Sequence, residues 1–87
     1  MDRVARIKDL LTAAIAPLEL EVRDDSAAHV GHAGARDGRG HFAVKIRAAC
    51  FAGEPRIARH RRVNAALEDL FKKEIHALSI TALAPGE

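Results

Sequence analysis

Between Arg3 and Ala16 the apolar residues Val4, Ile7, Leu10, Leu11, Ala14 and Ile15 recur at spacings of three and four. That spacing lines one face of a helix. Pro17 ends it, because proline has no amide to donate and disfavours helical angles in the residue before it. The period then changes to two: Leu18, Leu20 and Val22 alternate with Glu19, Glu21 and Arg23, which predicts a strand with one apolar and one wet face. Alternation returns at Phe42, Val44, Ile46, Ala48 and Cys50 against His41, Ala43, Lys45 and Arg47. This is a second strand, antiparallel to the first, with Cys50 on its inward phase as a small buried thiol. Phe51 to Pro55 reads as a turn around Gly53, with Pro55 suited to the first position of a helix. The stripe Ile57, His60, Val63, Leu67, Leu70 and Phe71 predicts one helix over residues 56–73. Lys72 and Lys73 sit at its carboxyl end, where cations complement the helix dipole. A final alternation, Leu78, Ile80 and Ala82 against Ser79 and Thr81, is a third strand. The order helix, strand, strand, helix, strand predicts an α+β two-layer sandwich, with both helices on one face of a three-stranded sheet.

Residues 24–40 break this pattern. They hold Ser26, His29, His32, Asp37 and the glycines 31, 34, 38 and 40, with His41 at the border. The segment reads as a long mobile loop of about 17 residues, longer than an ordinary hairpin connection and of the kind that is functional or disordered. The whole chain, 87 residues long, reads as one small domain over 1–87. A single Cys excludes an intramolecular disulfide framework and the usual thiolate zinc modules. No uncharged run approaches the ~20 residues of a membrane span. A cytoplasmic protein in a reducing compartment, with no membrane association, is the expectation.

Net charge is +2 but unevenly placed: residues 36–62 carry eight basic and two acidic groups, whereas both flanks are net acidic. Arg56, Arg59 and Arg62 recur at i, i+3 and i+6, and Arg61 widens the patch. Four guanidiniums on one helix suit phosphates or an acidic partner surface, although no exposed aromatic pattern accompanies them for stacking bases. Five histidines form the other concentration. His29 and His32 have an H-x-x-H spacing, yet a complete zinc site wants three or four ligands. His76, just before the third strand, is placed to meet a loop from a neighbouring strand, so that His32 and His76 together form a possible joint site. His60, on the apolar stripe, reads instead as a hydrogen-bonded core histidine. No serine, histidine and acid trio has the spacing of an activated hydroxyl, so no enzyme active site is expected. Gly31-His32-Ala33-Gly34 matches the GxxG of KH domains but lies between strands rather than helices, and Gly38 with Gly40 lacks the rest of a dinucleotide loop.

Asp25-Ser26 with the H-x-G-H loop, the F-x-G turn at Phe51 and Gly53, the triplet Arg59-His60-Arg61 and His76-Ala77-Leu78 together resemble the BolA family over nearly the whole chain. Two departures are Asn64, where an aromatic commonly follows the R-H-R helix start, and Ala49, where a serine often ends the second strand. The resemblance implies a type II KH-like fold. It also implies a non-enzymatic partner of a monothiol glutaredoxin that shares a 2Fe-2S cluster in iron-sulfur handling, iron homeostasis or stress response. Glutathione and the glutaredoxin cysteine would serve one side of that cluster. On this chain the implied ligands are His76 and His32, with His29 as the alternative loop ligand. The free chain is then expected without cofactor, alone or as a homodimer. The family implies a second reading, transcriptional regulation by DNA binding, carried here by Arg56, Arg59, Arg61 and Arg62.

Overall fold

The computed structural model describes residues 2–26 and 39–87. Helix α1 spans Arg3–Ile15; Asp2 caps it by accepting from the Ala5 amide at 2.7 Å, and Ala16 closes it in a left-handed conformation. Strand β1 is Glu19–Asp24 and β2 is Gly40–Arg47. A short 3-10 turn at Ala49–Phe51 leads to α2, Arg56–Ala66, then α3, Glu68–Lys73, and β3, Ile75–Leu83. The sheet runs β1-β2-β3 with β2 in the centre. It is mixed: β1 pairs antiparallel to β2, and β3 runs parallel to β2. A parallel neighbour needs a crossover, which α2 and α3 provide. Register puts Leu20, Ile46 and Ala82 in one row, and Val22, Val44 and Ile80 in the next. The buried set draws Ile7 and Leu11 from α1, Val63 from α2, Leu70 from α3 and Phe42, Val44 and Ile46 from β2. The α+β order and the one-faced helical layer are as the periodicity predicts.

Four local expectations are corrected. The second helix is broken: Leu67 leaves helical angles, at φ −106° and ψ 10°, between α2 and α3. No proline or glycine marks the break, and the apolar spacing Val63, Leu67, Leu70 continues across it with all three residues buried, so periodicity alone does not register it. Strand β2 ends at Arg47, and the turn after it replaces a period of two by a step of three, from Ala48 to Phe51, both fully buried. Cys50 is therefore exposed rather than buried. Ile57 is 60% exposed and His60 half-buried. The first turn of α2 lies along the end of edge strand β3, where Arg56 and His60 line a shallow cleft with Ile80–Leu83, so neither side chain reaches the middle of the core. Leu18 precedes β1 and is 63% exposed.

Arg59 ties this end of the fold together. Its Nε donates to the Glu54 carbonyl at 2.8 Å, Nη1 donates to the Ala82 carbonyl at 3.1 Å, and the two Nη atoms bind the Glu87 carboxylate at 2.5 and 3.0 Å. The Arg59 hydrogen bonds, and after them the Ala84 amide, hold the Glu87 carboxyl down to about 2 from its ordinary 4.5. A depressed carboxyl stabilises the fold fully above its unfolded value and loses that contribution as pH falls through its folded value. The melting temperature of Glu87→Gln should therefore lie below that of the wild type at neutral pH, and the gap should close between about pH 5 and pH 2. A gap constant over that range in thermal melts would contradict the pairing.

Candidate functional site

The sheet end where β2 and β3 begin carries the clearest collection of chemistry-bearing side chains. The register there is irregular: Gly40 pairs with Ile75, but His41 pairs with Ala77. Strand β3 thus spends two steps where β2 spends one, and His76 is the extra residue of a bulge. The bulge reconciles two apolar phases, since Ile75 is buried and Leu78 is half-buried although they lie three residues apart. It also turns His76 outward, where it is exposed. The expectation placed His76 just before the last strand; it is the second residue of that strand.

Arg39, just before β2, and His41, its second residue, flank His76. The His41 ring lies with its centroid 5.2 Å from that of His76, tilted by 52°. Arg39 brings Nη2 to 3.4 Å from His76 Nδ1, while its Nη1 donates to the Phe71 carbonyl at 3.1 Å. His41 is held on both sides of its peptide: its amide donates to Ser26 Oγ at 3.1 Å, and its carbonyl accepts from Asp25 at 2.7 Å. The Gly40 amide donates to the Glu74 carbonyl at 2.9 Å, which pins the start of β2 to the residue before Ile75. Glu74 is anchored in turn to α1, with Arg3 Nε at 2.7 Å and Arg6 Nη1 at 3.1 Å. The Arg3 hydrogen bond, and after it the Arg6 charge, hold the Glu74 carboxyl below the usual carboxylate range. His76 is thus an exposed imidazole on a backbone fixed from three elements.

His29 and His32 lie outside the described residues. Among the described residues no group of three or more His, Cys, Asp and Glu side chains gathers as a metal site. Cys50 follows the far end of β2, seven or more strand residues from His76's row, roughly 20 Å or more at ~3.3 Å per residue, and cannot share a centre with it. The arginine helix is divided. Arg59 is turned into the fold, its side chain 11% exposed, and Arg62 pairs with Glu54 through Nε at 2.6 Å. Arg56 and Arg61 are exposed. Arg39 and His41 were not among the residues singled out by spacing as site candidates. Only the parallel register of β2 and β3 brings them to His76, and no local pattern encodes that pairing.

Among the described residues no helix is long and apolar enough to cross a membrane. Comparison with known proteins matches residues 11–87 to the model of the BolA-like protein family. The chain is 41% identical over 98% of its length to SufE-like protein 1, chloroplastic/mitochondrial, of Arabidopsis thaliana, but spans only 24% of that relative. It is 39% identical to an uncharacterized protein in the cobS 5' region of Sinorhizobium sp, covering all of this chain and 96% of that one. Protein BOLA1, chloroplastic, of Arabidopsis thaliana is 37% identical, and this chain spans 56% of its length. Among solved structures, the BolA domain of SufE1 from Arabidopsis thaliana superposes with a TM-score of 0.85 at 38% identity, covering 98% of this chain and 94% of that one.

Proposed function

The chain belongs to the BolA family, and from that premise we propose that it is a non-enzymatic partner of a monothiol glutaredoxin, sharing a 2Fe-2S cluster in iron-sulfur handling or iron and redox regulation. The observation that carries this reading is His76, an exposed imidazole presented by a bulge on an anchored strand. The donor chemistry fits: imidazole nitrogen can replace thiolate on one iron of such a cluster. His76 would hold the cluster from this side, with His32 as the second ligand of this chain and His29 as its alternative, while the glutaredoxin cysteine and glutathione would serve the other iron. Nitrogen ligation raises the reduction potential over all-thiolate ligation, as in Rieske centres, and suits the cluster to electron transfer or sensing. The chain's own part is to present and orient His76. The bulge aims the ring, the Gly40 to Glu74 bond fixes the strand under it, and the Glu74 ion pairs tie that segment to α1.

For nucleic-acid binding the arginine helix offers Arg56 and Arg61, both exposed, whereas Arg59 and Arg62 pair with Glu87 and Glu54. The test is anaerobic reconstitution with a monothiol glutaredoxin and glutathione, read by absorbance and circular dichroism. Wild type should give a mixed-complex spectrum distinct from that of the glutaredoxin homodimer. His76→Ala should lose or alter it, and His32→Ala should alter it more weakly. An unchanged homodimer spectrum, with no complex on size exclusion, would overturn the proposal and move attention to Arg56 and Arg61 as a phosphate-binding surface.

A further inference from the structure

We propose that Arg39 is a latch on the His76 ring, occupying Nδ1 in the free protein and leaving that atom when His76 takes a metal centre. The inference deepens the function proposed above and rests on it for the role of His76 as a ligand. A guanidinium has five N–H donors, no acceptor, and keeps its charge at any accessible pH. The approach of Arg39 Nη2 to His76 Nδ1 at 3.4 Å therefore makes Nδ1 the acceptor, and the proton of the neutral ring sits on Nε2. A metal takes the lone pair of one ring nitrogen while the other nitrogen carries the proton. Ligation through Nδ1 requires Arg39 to vacate the lone pair it covers. Ligation through Nε2 requires the proton to move to Nδ1, where two N–H groups would face each other and Arg39 is again expelled. Both routes release the latch.

Arg39 is a positioning residue held from a second side. Its Nη1 bond to the Phe71 carbonyl keeps the guanidinium at the end of α3 after it lets the ring go, so release needs only a small swing. The His41 ring on the other flank limits the space into which His76 can turn. At 3.4 Å the contact is long for a hydrogen bond, which suits a latch that an incoming partner can displace.

The test uses the free protein first. Acylation by diethyl pyrocarbonate at about pH 8, above the ordinary histidine range, is followed at His76 by peptide mass spectrometry. Arg39→Met keeps much of the aliphatic stem but no donor, and should acylate at His76 about two- to five-fold faster, the factor that follows from releasing a hydrogen bond of about 0.5–1 kcal/mol. Arg39→Lys retains a charged donor and should stay near the wild-type rate. Equal His76 rates in wild type and Arg39→Met overturn the latch whatever the cluster does. Should the Met variant fail to fold, nitrogen-15 NMR of the wild-type ring decides: a proton on Nε2 supports the latch, and a proton on Nδ1 overturns it. In reconstitution with glutaredoxin, Arg39→Met should load cluster faster than wild type. The expected acylation pattern with no mixed complex in either protein overturns the glutaredoxin reading alone.

Discussion

Phe51→Ala should lower the free energy of unfolding by about 3–5 kcal/mol, the range for removing a buried aromatic ring. Phe51 is the largest of the fully buried side chains, and it sits in a three-residue turn whose backbone is fixed by its amide donating to the Ala48 carbonyl at 3.2 Å and its carbonyl accepting from Glu54 at 3.0 Å. The loss combines the transfer free energy of the ring with the cavity it leaves, which fixed neighbours cannot close. A small domain has of order 5–15 kcal/mol in all, so the variant should be marginal at 37 °C. Urea denaturation gives the measurement: the midpoint should fall with little change in slope. Cys50→Ala, one residue earlier and exposed, should change stability by no more than about 0.5 kcal/mol. The pair tests the phase of the turn directly. A costly Cys50 change beside a cheap Phe51 change would mean that the alternation of β2 continues through residue 50 after all.

Gly40→Ala is the second large effect, about 1–3 kcal/mol of destabilisation from overpacking, and it acts on the His76 site as well. Gly40 is buried. A Cβ there would stand 2.6 Å from Ser26 Oγ and 2.7 Å from Cε2 of the Phe42 ring. The Phe42 ring is 2% exposed within the core and has little room to yield. Ser26 can rotate, but its Oγ is the acceptor of the His41 amide, so yielding strands that amide. A double-mutant cycle with Ser26→Ala isolates this pair. In the Gly40→Ala background, removing the hydroxyl should cost less than it does in wild type, because one clash is relieved as the bond is lost. Strict additivity would show that the two residues do not meet. Since Gly40 also bonds the Glu74 carbonyl and adjoins the bulge, the variant should weaken the mixed complex while leaving every proposed ligand in place.

The helices, the strands and their one-sided layer were legible because burial on one face imposes a period of 3.6 or 2 that local spacing records. Membership of the BolA family was legible from short motifs spread along the chain. What spacing misplaced were the points where period gives way to geometry. Leu67 breaks a helix without a breaker residue, and Cys50 leaves its strand phase because the chain turns after Ala48. Arg59, counted with a surface patch, is drawn inward by the Glu54 carbonyl just before the helix and by the Ala82 carbonyl and Glu87 carboxylate, more than twenty residues away and invisible to a helical wheel.

The candidate site divides in the same way. His76 is named by its motif and by its place at the third strand, both of them properties of the chain read in order. Its flanking by Arg39 and His41 comes from the parallel register of β2 and β3 and from the one-residue bulge that reconciles Ile75 with Leu78. Parallel pairing joins residues more than thirty positions apart, and a shift of one residue would send every side chain to the other face. Local sequence therefore supplies the imidazole, while the surroundings of that imidazole are decided only when the sheet closes and a buried core selects a single register.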